Sequence, residues 1–139
     1  MAKIGFTGTQ FGLTKKQHQV LGGLLDVANR AIQSVFHHGS CIGADTTAHK
    51  IAEKIGLRIV VHPPLNESKM TKLAGDEVRP AKDYLDRNHD IVDETDWLIA
   101  CPKTKAEEQR SGTWATVRYA KKKGKQIMII YPDGGVEVK

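Results

Sequence analysis

Five short apolar runs stand out along the chain: Ile4–Thr7, Ser34–His38, Arg58–His62, Trp97–Ala100 and Gln126–Tyr131. The third and fifth are continuous rather than alternating, through Ile59, Val60 and Val61 and through Ile127 to Ile130. Continuous runs of this length suit strands buried on both faces of a parallel sheet. Between the runs the apolar period changes to that of a helix. Val20, Leu21, Leu24, Leu25 and Ala28 form one stripe after Thr14, an N-cap residue type. Gly22 and Gly23 weaken that helix unless they allow close packing on the sheet. Ala48, Ile51, Ala52 and Ile55 form a second stripe that opens near Asp45 and stops at Gly56. A third helix is predicted over Lys82–Glu94, with Tyr84, Leu85, Ile91 and Val92 as its apolar contacts. A fourth begins at Gly112–Thr113 and ends before Gly124.

Strand and helix thus alternate four times and a fifth strand closes the series. The pattern predicts one Rossmann-like α/β domain over 1–139: three layers, about five parallel strands, helices on both faces. The tail 132–139 begins with an Asp133-Gly134-Gly135 turn and offers a short edge strand. Two long polar loops, Pro63–Pro80 and Pro102–Ser111, interrupt the series.

In sheets of this kind ligands bind beyond the carboxyl ends of the strands. Four such places here carry small or polar residues. Thr7, Gly8, Thr9 and Gln10 follow the first strand; Gly8 lets backbone approach a ligand, and the threonines bring hydroxyls. Gly39, Ser40, Gly43, Ala44 and Asp45 lie where the second strand turns into a helix, a place where several backbone N–H groups can face an anion. Asp45 has two readings, helix N-cap and acceptor for ribose hydroxyls, and they can coexist. Ser111, Gly112 and Thr113 would make a second anion site, with Arg110 as a phosphate partner and Trp114 either stacked on a base or buried. Arg87 and Asn88 could face the crevice from the third helix, or Arg87 could join Asp86 and Asp90 on a solvated face.

His62, at another strand end before Pro63-Pro64, is a further ligand candidate. His37 and His38 are adjacent in a strand and point to opposite faces. No third ligand stands at metal-site spacing, so neither a metal site nor a cofactor is expected. Cys41 lies near a helix start, where a thiolate is favoured. It has no neighbouring base, and Cys41 and Cys101 are too few for a disulfide scaffold.

The net charge of +5 invites a nucleic-acid reading, but residues 63–111 hold 8 Lys and Arg against 11 Asp and Glu. That acidic middle argues against a continuous basic face. Lys121, Lys122, Lys123 and Lys125 complement the end of the fourth helix. Met1-Ala2-Lys3 runs straight into a strand-like segment, and no apolar run is long enough for a bilayer. The expectation is a soluble, cytoplasmic protein without membrane contact.

The stretches Gly5–Thr9, His38–Asp45, Arg87-Asn88 with Asp93 and Asp96, and Ser111-Gly112-Thr113 with Tyr119-Ala120 together resemble the SLOG superfamily. That group includes the LOG phosphoribohydrolases and the DprA-type DNA-processing proteins; the likeness is greatest to its YspA/YpsA-related branch. The resemblance implies a Rossmann-like sheet, recognition of nucleotides or nucleotide-derived signals, and a homodimer or higher homo-oligomer. It also suggests a setting in stress response, bacterial conflict or phage. LOG-type enzymes carry PGGxGTxxE, with a catalytic glutamate at its end. Here Gly112-Thr113 matches the GT, and Thr116 takes the glutamate's place. Threonine cannot stabilise an oxocarbenium-like transition state as a carboxylate does. Binding of a nucleotide-derived small molecule without turnover is therefore the favoured reading. An N-glycosidase would need another carboxylate, such as Glu107, Glu108 or Asp86, and DprA-like DNA binding ranks last.

Overall fold

The computed structural model describes all residues 1–139. The apolar runs become strands β1 (Ala2–Gly8), β2 (Ser34–His38), β3 (Arg58–Val61), β5 (Trp97–Cys101) and β6 (Gln126–Ile130). Two short strands join them, β4 (Glu77–Val78) and β7 (Val136–Val138). The sheet order is β4-β3-β2-β1-β5-β6-β7. The first six are parallel and β7 pairs antiparallel with β6. The fold is the expected Rossmann-like three-layer sandwich, with six parallel strands rather than five. β4 escaped the sequence reading because two residues inside a polar loop carry no periodicity.

Alternation along the strands divides the core in two. Ile4, Phe6, Phe36, Ile59, Val61 and Ile99 face helices α1 (Lys15–Ala31) and α2 (Ala44–Ile55), which bring Leu21, Leu25, Ala48 and Ala52. Leu98, Ala100, Ile127 and Ile129 face α3 (Tyr84–Asp93) and α4 (Gly112–Lys122), which bring Ile91, Val92, Trp114, Val117 and Ala120.

Thr14 caps α1 through a reciprocal capping box with Gln17: each backbone N–H donates to the other side chain, at 3.0 and 3.1 Å. Gly22 and Gly23 are not packing devices. A Cβ on Gly22 would come no nearer than 3.9 Å to Ile51, and one on Gly23 would meet open space. Gly43 holds the N-cap position of α2, so Asp45 is not the cap; it lies one residue inside the helix. α3 begins at Tyr84 rather than Lys82, because the Asp83 side chain accepts the Asp86 N–H and fixes the start there. Leu85 at its start is exposed, while Ile91 and Val92 pack in the core.

Candidate functional site

The chain runs outward from β1 to β4 and then returns to place β5 beside β1. That reversal is the topological switch point, and loops on either side part there. A cleft of about 900 Å³ opens at the carboxyl ends of β1 and β5. Of the residues singled out from sequence, Thr7, Gly8, Thr9, Gln10, Gly39, Asp45, Arg87, Asn88, Arg110, Ser111, Gly112 and Thr113 line it. Ser40, Gly43, Ala44, His62 and Trp114 do not.

The floor is built from the turns after β1 and β2. Ala44 N–H donates to the Thr9 carbonyl at 3.0 Å, and Thr9 N–H donates to the Cys101 carbonyl at 3.1 Å. Gly8 is small for a packing reason, since a Cβ there would lie 2.5 Å from that of Ala44. Gly43, at φ +85°, leaves no room for a side chain against the Gln10 carbonyl. The start of α2 is mostly closed to anions because its turn amides already have partners. Cys41 N–H donates to Asp45 Oδ2, Ile42 N–H to the Lys69 carbonyl and Ala44 N–H to Thr9.

Asp45 is buried, and its second oxygen, Oδ1, has no hydrogen-bond partner. Burial raises its pKa to about 6, offset in part by the Arg87 guanidinium and by the Cys41 and Gly39 amides. The same burial, with the Asp45 charge, pushes the Cys41 thiol upward. Cys41 is therefore not the helix-stabilised thiolate its position suggests.

Arg87 is not on a solvated face. It is buried, and its Nη1 donates to the Gly39 carbonyl and, at 3.2 Å, to the His62 carbonyl. Nε donates to Asn88 Oδ1 at 2.8 Å. Gly39 makes room for this arrangement: a Cβ there would sit 2.5 Å from Arg87 Nη1.

At α4, Ser111 is the N-cap and its Oγ accepts the Trp114 N–H at 3.2 Å. The amides of Gly112 and Thr113 have no partner within the chain. Trp114 is buried in the second core and contributes apolar packing, not a stacking face for a ligand. Thr116 is buried too, its hydroxyl donating to the Gly112 carbonyl at 2.9 Å. Of the alternative carboxylates, only Glu108 lines the cleft; Glu107 pairs with Arg118 at 2.7 Å.

The cleft also holds Phe11, Cys41, Lys69, Tyr84 and Lys103, which the sequence reading did not select. Lys69 arrives because the loop after β3 folds back on the β2 turn, where Thr71 N–H donates to the Ser40 carbonyl at 2.9 Å. Lys103 stands 4.7 Å over the Phe11 ring. Lys69, Arg87, Lys103 and Arg110 face only Asp45 and Glu108, so the cleft favours anions.

The residues off the cleft have structural partners. Ser40, at φ 58°, donates from its amide to His38 Nδ1 at 3.0 Å, and its hydroxyl contacts the Thr71 carbonyl. An accepting Nδ1 leaves the proton of His38 on Nε2, which meets His49 Nδ1 at 2.9 Å. On the opposite face, His62 Nε2 lies 2.8 Å from His37 Nδ1. Burial first, and nearby cations after it, lower the pKa of His37 to about 4; burial and then the His37 charge lower that of His62 to about 3. His62 contributes its carbonyl to Arg87 and directs its ring away from the cleft. Ligating atoms of His37, His62 and Glu94 come within 4.8 Å of one another. Sequence spacing gave no sign of this group, because its members come from β2, the end of β3 and the end of α3.

No helix is long and apolar enough to cross a membrane. No family model matches the chain, and no curated protein does. Among solved structures, the chain is similar to the molybdenum cofactor binding protein of the phototrophic bacterium Rippkaea orientalis. The two are 22% identical, with 94% of this chain and 76% of that one covered and a TM-score of 0.71. It is also similar to the molybdenum cofactor carrier protein of Chlamydomonas reinhardtii. That pair is 19% identical, with 92% and 75% covered and a TM-score of 0.64. At these identities the likeness is one of fold: the chain shares the Rossmann-like architecture of these two proteins.

Proposed function

We propose that the chain binds a phosphate-bearing, nucleotide-derived small molecule in the cleft at the β1–β5 switch point and holds it without turnover. The observation that carries this reading is the pairing of two unmet demands on one cleft. Asp45 Oδ1, covered at the floor of the cleft, has no donor beyond a loose approach of the Gly39 amide to its carboxylate, and the Gly112 and Thr113 amides lack an acceptor. A sugar hydroxyl answers the first and a phosphate oxygen the second. Arg110, Lys69 and Lys103 add the positive field a phosphate needs. Phe11 and Tyr84 offer flat apolar surface for a heterocycle. Proteins of the same fold described as molybdenum cofactor binders and carriers support a small-molecule ligand. The withdrawal of Thr116 into a hydrogen bond with Gly112 supports holding over cleavage.

A thermal-shift panel of nucleosides, nucleoside mono- and diphosphates and dinucleotides tests the reading, with chromatography of each mixture afterwards. Phosphorylated members should raise Tm and be recovered intact. Release of free base would make the protein an N-glycosidase. Equal shifts with nucleosides and nucleotides would remove the phosphate from the proposal, and no shift with any member would remove the ligand class.

A further inference from the structure

Away from the cleft, α3 and α4 pack over β1, β5 and β6 and leave the same sheet face open over β2 and β3. A second hollow of about 400 Å³ lies there, lined in part by Val35, His37, Val60, Arg79 and Glu94. His37 lines it, and His62, buried and outside the lining, meets the His37 ring. We propose that His37 Nδ1, His62 Nε2 and the Glu94 carboxylate form a binding site for a borderline divalent transition ion such as zinc.

The three groups stand near enough to converge on one ion once their side chains adjust: their ligating atoms lie within 4.8 Å of one another. The two ring nitrogens are 2.8 Å apart. Two imidazole nitrogens at zinc-ligand distance, set at a tetrahedral angle, stand about 3.3 Å apart. The ring centroids are 5.1 Å apart, so the two nitrogens face each other almost head-on, and each ring must swing by roughly 35° to turn its lone pair onto a shared ion. Neither ring has to lose a proton. The hydrogen now shared between them moves to the far nitrogen of its own ring, and both facing lone pairs are then free.

Glu94 is set up as a carboxylate ligand. Arg79 donates from Nε to its Oε1 at 2.9 Å and brings Nη2 to the same oxygen as an ion pair at 2.9 Å, and Oε2 has no hydrogen-bond partner. An outer guanidinium that fixes one oxygen and leaves the other for the ion is the usual support of a ligating carboxylate. The positive charge of Arg79 is itself balanced by Glu77 at 2.6 Å. Buried Val35 and Val60 give the hollow an apolar wall, and the half-exposed Glu94 gives the ion its way in from solvent. Two imidazoles and a carboxylate select zinc, cobalt or nickel over magnesium or calcium. They leave a fourth position for water.

The test is a titration of the whole chain, free of any histidine tag, with Co(II), read by its visible absorption and by calorimetry with Zn(II). One ion per chain is expected, with the absorption of a four- or five-coordinate centre. Glu94→Gln keeps the size of the side chain at a half-exposed position and should weaken binding about tenfold or more. His62→Gln should abolish the absorption. A circular dichroism melt shows whether each variant folds, and Glu94→Gln alone decides the matter if His62→Gln does not. Absence of stoichiometric uptake, or uptake unchanged in Glu94→Gln, would overturn the site. Magnesium binding with the same affinity as zinc would overturn the donor set.

Discussion

Arg87 lies directly beneath Gly39, its Nη1 bonded to the Gly39 carbonyl in the space a side chain at 39 would fill. The contact ties α3 to the end of β2 and fixes a buried cation on the cleft. Gly39→Ala would put a Cβ 2.5 Å from Nη1 and 2.7 Å from Cζ. We expect it to displace the guanidinium and cost about 2 kcal/mol of stability. Urea denaturation measures this. A cost near zero would mean that the cation gives way freely and is not a fixed part of the cleft.

Asp45 makes stability depend on pH in an unusual direction for a carboxylate. Its native pKa of about 6 lies above the ordinary 3.8, so the native state holds the proton more tightly than the unfolded chain. Its contribution therefore falls as pH rises from about 4 to about 6, by on the order of 3 kcal/mol, and is level above that. The buried histidines, held at about 3 to 4 in the native state against 6.5 when unfolded, also make stability depend on pH across this interval, so the informative quantity is the difference between wild type and Asp45→Asn. That difference should grow in favour of the variant from pH 4 to 6. A difference flat with pH would mean that Asp45 is ionised at its ordinary pKa in the native state.

Gln17 is a buried hinge pin. Its Nε2 donates to the Pro102 and Ile130 carbonyls, each at 2.9 Å, and so ties α1 to the ends of β5 and β6. Gln17→Leu keeps the volume and strands two buried acceptors. We expect a loss of about 2–3 kcal/mol in chemical denaturation. A loss below about 0.5 kcal/mol would show that water takes over both carbonyls.

Gly23 stands exposed in the middle of α1 with nothing near its missing side chain. Gly23→Ala should stabilise the protein by about 0.5–1 kcal/mol, seen as a higher denaturation midpoint with an unchanged slope. Destabilisation instead would show that α1 needs the glycine for a contact absent from the isolated chain.

What could be read from sequence follows the range of the interaction. Ser34–His38 was legible to the residue from the Val35-Phe36 pair between two helical periods, and β6 nearly so because a doubly buried strand reads as a continuous apolar run. The glycine-bearing turns at 8, 39 and 112 pointed to the cleft because the carboxyl ends of parallel strands share one side of the sheet. Lys69 and Phe11 were invisible because loops carry them there by backbone hydrogen bonds and turn geometry, which leave no periodic trace. Ser40 turns away from the cleft and Trp114 takes the buried one of its two readings, because a residue next to a glycine turn can face the core as readily as the ligand. Asp45 was read both as a cap and as a ligand contact from its position; the capping half fails because Gly43 starts the helix, which leaves the carboxylate to accept from Cys41.

The interlock of Gly43 with the Gln10 carbonyl has a consequence for how this fold could diversify. The two turns under the cleft brace one another, so little ordering remains to be done when a guest arrives, and few substitutions there are survivable. The segment carrying Lys103, Glu108 and Arg110 is largely exposed and closes the opposite side through surface contacts such as Thr104 with Glu108 and Arg118 with Glu107. Selectivity can drift along that segment while the foundation stays fixed, and relatives that bind different molecules should differ there first.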